Sequence, residues 1–187
     1  MLFSSKSISD ILKNGDLQTK ISVLKSHVVS NDPAIIRQVI SALDDNEIQV
    51  RGEAFSALFL NDNDISNILI SSLRSESKNI RSFSTLILAN RDDRNSIESI
   101  IELTHDKSSM VRSCAFGALG HLRAKQAKKE IHDGIFDDNI EVKKSAGFAL
   151  YLIGGKLSDL ARKELEKQND DNFDKIIEWW TGRDLNP

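Results

Sequence analysis

A basic residue recurs along this chain at a nearly constant interval. The series is Lys20, Arg51, Arg81, Arg112 and Lys143, and its successive spacings are 31, 30, 31 and 31. Three apolar columns keep the same interval, at twelve positions before and three and seven positions after the base. They are Ile8, Val39, Leu69, Ile100 and Ile131; Val23, Ala54, Ser84, Ala115 and Ala146; and His27, Leu58, Leu88, Leu119 and Leu150. A period in the low thirties is typical of stacked structural repeats.

Each repeat contains two stretches in which apolar residues recur every three or four positions. This spacing places one face of an α-helix against a core, so each repeat is predicted to be a pair of antiparallel helices. In the second repeat the two stretches are Ile36, Val39, Ile40, Leu43 and Val50, Ala54, Ala57, Leu58.

The helix pairs predict one solenoid domain over residues 1–187. The predicted repeats span 7–30, 32–61, 64–91, 92–122 and 124–154, and a degenerate sixth unit over 157–181 closes the core. Apolar residues of that cap follow the helical spacing and are Phe173, Ile176, Ile177 and Trp180. We expect Trp180 to be buried and its neighbour Trp179 to be partly exposed.

Composition narrows the class of protein. The net charge is −3, which disfavours nucleic-acid binding, since a duplex-binding protein usually has a basic surface. The single cysteine, Cys114, excludes an intramolecular disulfide. The N-terminal segment lacks the pattern of a signal peptide, and no apolar run is long enough to cross a bilayer. We therefore predict a cytoplasmic protein without a membrane partner.

The best-preserved repeats share an aspartate at the turn, Val-Arg or Val-Lys five to six residues later, and then Ala and Ala-Leu. The pattern is seen at 45–61, 106–122 and 137–153. It resembles the HEAT-repeat family, in particular the short form found in phycobilin-lyase-like proteins. The resemblance implies an all-α, right-handed α-solenoid of about five helix pairs with a C-terminal cap.

The resemblance also implies a ladder of ion pairs and turn hydrogen bonds between adjacent repeats. Its predicted members are Asp45, Arg51, Arg81, Asp106, Arg112, Asp137 and Lys143. Ser75 replaces the acid in the third repeat, so we expect the ladder to be weakest there.

Two His-Asp pairs are similar to the His-Glu iron ligands of deoxyhypusine hydroxylase, a HEAT-repeat enzyme. His105 and His132, however, stand seven and eleven residues before the base of their repeats, and a shared metal shell needs convergent positions. Cys114 has no neighbouring histidine that would activate a nucleophile. We therefore predict no catalytic residue, no metal and no cofactor.

One basic cluster is present, made of Arg123, Lys125, Lys128 and Lys129. It lies on a predicted first helix and is diluted by Glu130 and Asp133. A solvated charged face is the expected role of such a cluster.

In HEAT repeats the second helices line the concave face, which implies that the positions two, five and nine residues after each base form a partner-binding row. These residues are Glu53, Ser56, Leu60, Phe83, Leu86, Asn90, Cys114, Gly117, His121, Ser145, Phe148 and Leu152. The row is unusually apolar for a surface, and its small residues Cys114 and Gly117 leave room for a helix or an extended peptide. In the alternative, these side chains fold back and complete the core.

The predicted function is a non-catalytic scaffold or adaptor that binds a protein or peptide on this face. Two alternatives remain: a bilin-lyase-like or other HEAT-repeat enzyme or accessory subunit, and a nucleic-acid-binding protein.

Overall fold

A computed structural model describes residues 5–27 and 29–167, with side chains from Ile8 onward. The predicted cap residues Phe173, Ile176, Ile177, Trp179 and Trp180 lie outside the described residues.

The described chain is made of α-helices and short 3-10 turns, and no strand occurs within 5–27 or 29–167. The helices are α1 Ser5–Asn14, α2 Leu17–Ser26, α3 Pro33–Ser41, α4 Ile48–Phe59, α5 Ser66–Ser72, α6 Lys78–Asn90, α7 Ile97–Glu102, α8 Ser109–His121, α9 Lys128–Asp133, α10 Ile140–Leu152 and α11 Asp159–Glu166. They form successive pairs, and α11 stands where the first helix of the degenerate sixth unit was predicted.

Polar side chains mark the starts of several helices. Asp32 accepts the amide of Ala34 at 2.8 Å, with Pro33 at the first helical position of α3. Asn139 accepts the amides of Glu141 and Val142 at the start of α10. These caps satisfy backbone donors that have no partner inside the helix.

A 3-10 turn follows the first helix in the second, fourth and fifth repeats. The turns are Ala42–Asp44, Leu103–His105 and Gly134–Phe136. Each is followed at once by an aspartate, namely Asp45, Asp106 or Asp137, which is extended in φ and ψ. The turn therefore sets where the acidic member of each repeat lies.

The apolar columns form the core. Every leucine of the column Leu58, Leu88, Leu119 and Leu150 is at most 1% exposed. The small column is buried too, and its one polar member, Ser84, is satisfied by a 2.7 Å hydrogen bond from Ser72 Oγ. Small side chains here allow neighbouring helices to approach closely.

The chain divides into two compact units, which we describe separately. Unit 1 comprises residues 1–91 and contains α1 to α6, and unit 2 comprises residues 92–187 and contains α7 to α11. The boundary coincides with the predicted junction between the third and fourth repeats. One domain over 1–187, with the repeat limits given above, stays a prediction.

Candidate docking face

In unit 1 two of the recurring basic residues, Lys20 and Arg51, contact the turn at Asp45. Lys20 Nζ lies 2.6 Å from Asp45 Oδ2, in the turn that precedes α4. Arg51 donates from Nη1 to the carbonyl oxygens of Asp45 and Asn46, at 2.8 and 3.1 Å. In the described part of unit 1 Arg51 forms no ion pair, and its expected acidic counterpart is replaced by Ser75.

In unit 2 the contact between a recurring basic residue and the aspartate of the next repeat consists of two hydrogen bonds. Arg112 donates from Nε and Nη2 to the two carboxylate oxygens of Asp137, at 2.7 and 2.8 Å. A third bond runs from Arg112 Nη1 to the carbonyl oxygen of Asp106, at 2.9 Å. Lys143 continues the series by pairing with Glu164 of α11.

These contacts shift the ionisation of their members. Burial acts to raise the pKa of Asp137, but hydrogen bonds from Arg112 and from the Asn139 amide outweigh it, so the pKa of Asp137 is lowered. The pKa of Asp45 is lowered in the same way, against burial, by Lys20 and the Glu47 amide. Asp45 and Asp137 are therefore held as carboxylates.

None of the twelve residues predicted for the partner-binding row is buried. Leu60, Asn90, His121 and Phe148 are exposed, and the other eight are half-buried. Leu60 and Phe148 expose 57% and 40% of their surface, which is high for large apolar side chains.

In unit 1 three aromatic rings lie beside the row, and we call Phe55, Phe59 and Phe83 the phenylalanine cluster. The ring centroids of Phe55 and Phe59 are 6.4 Å apart along α4. Those of Phe55 and Phe83 are also 6.4 Å apart, edge to face, across α4 and α6. The cluster therefore joins two neighbouring second helices into one aromatic surface.

In unit 2 the face is formed by α8 and α10. The rings of Phe148 and Tyr151 are stacked with centroids 6.5 Å apart. On α8, a Cβ placed on Gly117 would meet nothing within 4 Å, so this position is open. A Cβ on Gly120 would come within 2.8 Å of the Ala149 Cα, which shows that Gly120 allows α8 and α10 to pack closely.

Several residues on this face escaped the sequence interpretation. The positions two, five and nine after Lys20 are Ser22, Lys25 and Val29, which extend the row into the first repeat, and all three are exposed. The repeat period alone could have identified these three residues. Phe59 and Tyr151 are both exposed and share another column, eight residues after the base. Ala89 and Gly120 occupy the same column and are buried, so the column has no consistent apolar, exposed pattern in the sequence.

Two of the groups considered for chemistry, His105 and Asp133, line one pocket together with Glu130. His105 is exposed, whereas His132 is half-buried with Nε2 3.0 Å from Ser158 Oγ. No group of three or more His, Cys, Asp or Glu residues that could hold a metal ion is found within 5–27 and 29–167. Cys114 is a half-buried free thiol.

The basic cluster is partly engaged in local contacts. Arg123 donates to the carbonyl oxygen of Leu152 at the end of α10, and Lys129 Nζ lies 3.1 Å from Asp133 Oδ2. Of the helices described, none combines the length and the apolar character that crossing a bilayer requires.

Comparison with known proteins identifies the repeat. Residues 66–151 match the family model described as HEAT repeats. No curated protein matches the sequence.

Solved structures share the fold. The complex of CpcE and CpcF of phycocyanin lyase from Nostoc sp. PCC7120 is similar with a TM-score of 0.66 and 18% identity, covering 79% of this chain and 99% of that chain. Computationally designed armadillo repeat proteins for modular peptide recognition match with a TM-score of 0.57 and 16% identity, covering 96% of this chain and 99% of that one. A designed armadillo repeat protein in complex with the peptide (KR)4 gives the same four values.

At these identities the likeness concerns the fold, and it confirms the predicted all-α solenoid class. The family match shows HEAT repeats over residues 66–151 of this chain.

Proposed function

We propose that this protein is a cytoplasmic, non-catalytic interaction scaffold that binds a segment of a partner protein along the partner-binding row. The observation that carries the proposal is the exposure of large apolar side chains on the second helices, above all Leu60 and Phe148. Exposed apolar and aromatic side chains that recur on the second helices of each unit are typical of partner surfaces.

The fold supports this interpretation by analogy. HEAT and armadillo solenoids are typical of interaction scaffolds; one set of designed armadillo proteins with this fold was made for peptide recognition, and another such protein is in complex with the peptide (KR)4. The exposed apolar side chains of the row are the specific support for the proposal, because a fold alone does not define a function.

The test compares a row variant with a matched control. The row variant is Leu60→Ser combined with Phe148→Ser; both side chains are exposed, so the melting temperature should stay nearly constant. The control is Ile48→Ser, which removes a 69% exposed apolar side chain at the start of α4, away from the row.

Wild-type, row-variant and control proteins are used for affinity purification from the native host, and co-eluting proteins are identified by mass spectrometry. A partner made in purified form should bind the wild type and the control with equal affinity and the row variant at least about tenfold more weakly. Equal binding of all three proteins to every partner would refute the proposal.

The bilin-lyase alternative is favoured by one observation, the fold shared with the CpcE–CpcF complex. It predicts that protein purified from its native host carries a visible chromophore. An absorbance spectrum with no band above the protein's own would count against it.

A further inference from the structure

The phenylalanine cluster determines what kind of surface a partner must bring to unit 1. Phe55, Phe59 and Phe83 are in mutual contact through Phe55, and none of the three is fully buried. Leu60 of the row follows Phe59 directly, and Leu86 of the row lies three positions after Phe83. A patch of this composition contains no charge, so the partner surface that covers it must be apolar as well.

Two polar side chains of this face donate hydrogen bonds to their own helices. Ser56 donates from Oγ to the carbonyl oxygen of Gly52 at 3.0 Å, and Asn90 donates from Nδ2 to that of Leu86 at 2.7 Å. An extended peptide pressed against the rings would lose water from its main-chain groups and gain few partners in return. A helical segment satisfies its own main chain and avoids that cost.

The geometry of the cluster also suits a helix. Both ring-to-ring separations are 6.4 Å. Side chains three and four positions apart on a helix are about 5–6 Å apart, so successive apolar side chains match the gaps between rings. Gly52 leaves the neighbouring surface of α4 open, because a Cβ there would meet nothing within 4 Å.

Charge at the edge of the patch defines one end of the partner. Lys25 Nζ is 3.9 Å from Glu53 Oε2, at the limit of an ion pair, and the two side chains are 65% and 22% exposed. An exposed pair of this kind contributes little to stability. Lys25 is thus the more accessible charge on this part of the row, and it is complementary to a carboxylate.

From these observations we propose that the unit 1 part of the row binds an amphipathic helix of a partner protein, with its apolar face on the phenylalanine cluster and a carboxylate beside Lys25. This inference rests on the proposed scaffold function and specifies the partner's chemistry.

The test uses a displayed peptide library as the probe and the full-length protein as the target. Peptides of about 14 residues, four helical turns, carry Leu, Ile, Met or Phe at positions i, i+3, i+4 and i+7, and Glu or Lys at flanking positions. A second library has the same composition with a central proline that breaks the helix. We expect enrichment from the first library, with Glu at the flank.

Variants then locate the binding site of an enriched peptide. Phe59→Ser should weaken binding at least about tenfold. Phe136→Ser is the matched control outside the row, because the rings of Phe59 and Phe136 are 41% and 43% exposed, and it should change the affinity less than about twofold. Lys25→Glu should reverse the preference from Glu to Lys at the flank, whereas Lys78→Glu, an exposed lysine outside the row, should not.

The outcomes separate the two proposals. No enrichment of helical peptides, stronger enrichment from the proline library, or an unchanged flank preference in Lys25→Glu would overturn the helix inference. The scaffold proposal would still stand if the row variant lost its native partner. Loss of binding in Phe59→Ser counts only with an unchanged melting temperature, and Leu60→Ser provides a second exposed site for the same measurement.

Discussion

Arg112 and Asp137 form a two-pronged ion pair, in which Nε and Nη2 of the guanidinium each donate to a different carboxylate oxygen at 2.7 and 2.8 Å. The pair ties α8 to the turn that precedes α10. A planar fork of this kind requires arginine, because a lysine ammonium is a single point charge.

Removal of this pair should destabilise the protein measurably. The side chains of Arg112 and Asp137 are 19% and 13% exposed, so Arg112→Ala leaves a mostly buried carboxylate with fewer donors. We expect a loss of about 1–3 kcal/mol in the free energy of unfolding, measured by urea titration. Lys129→Ala, which breaks the exposed pair with Asp133, is the control and should have almost no effect. Equal losses in both variants would contradict this account of the ladder.

The leucine column should matter more than the ladder. Leu119 is fully buried, and Leu119→Ala removes the Cγ methine and two methyl groups from a packed core. The expected loss in the free energy of unfolding is about 2–5 kcal/mol, larger than that of Arg112→Ala. The same urea titration measures both losses, and a larger loss in Arg112→Ala would contradict the assignment of Leu119 to the core and of Arg112 to the ladder.

Acid should weaken the ladder in a defined pH range. Because the pKa of Asp137 in the folded protein is below the ordinary value of 3.8, the folded state holds the proton less tightly than the unfolded state. The stabilisation is therefore complete above pH 3.8 and is lost as the pH falls through the lowered value. In Asp137→Asn the free energy of unfolding should depend less on pH in this range. An unchanged pH profile would show that Asp137 is not among the groups responsible.

Two glycines of α8 should respond to alanine in opposite directions. Gly117 is open, and Gly117→Ala should raise the free energy of unfolding by about 0.5–1 kcal/mol through helix propensity. Gly120→Ala would place its Cβ within 2.8 Å of the Ala149 Cα and should lower both the free energy of unfolding and the melting temperature. Thermal and urea unfolding of the two variants provide each other's control, and shifts of the same sign would contradict the packing described for α8 and α10.

The core was predictable because burial repeats with the same period as the sequence. The column twelve residues before the base is at most 2% exposed throughout, from Ile8 to Ile131. Burial of the ladder itself was less predictable. Arg81 and Lys143 are only 5% and 8% exposed, and a charge in the sequence does not reveal how many carbonyl and carboxylate partners the fold supplies.

The ends of the second helices show where local rules give no signal. Gly154, two residues after the end of α10, has a left-handed φ of 69°. Asp92 and Arg123, at the equivalent positions after α6 and α8, have φ values of 51° and 53°. Neither is a glycine, and Arg123 is not a usual left-handed residue. Its side chain reaches the Leu152 carbonyl oxygen, a tertiary contact that no local pattern encodes.

The sequence positions of the candidate site could be predicted, but the contacts between its side chains could not. Periodicity located Phe83 and Phe148, whereas the contact of Phe83 with Phe55 depends on the distance between α4 and α6. The engagement of Ser56 and Asn90 with their own helices likewise depends on side-chain rotamers, which sequence spacing does not determine.

The ladder pairs of Lys20, Arg112 and Lys143 all point the same way, each base reaching an acid that follows it in the chain. A repeat joined in this manner has two different ends: one end supplies the base of an ion pair, and the other supplies the acid. Insertion or loss of one whole repeat would reproduce the same junction without any new contact. Such an architecture can change its length, and with it the number of partner side chains it contacts, by genetic duplication alone.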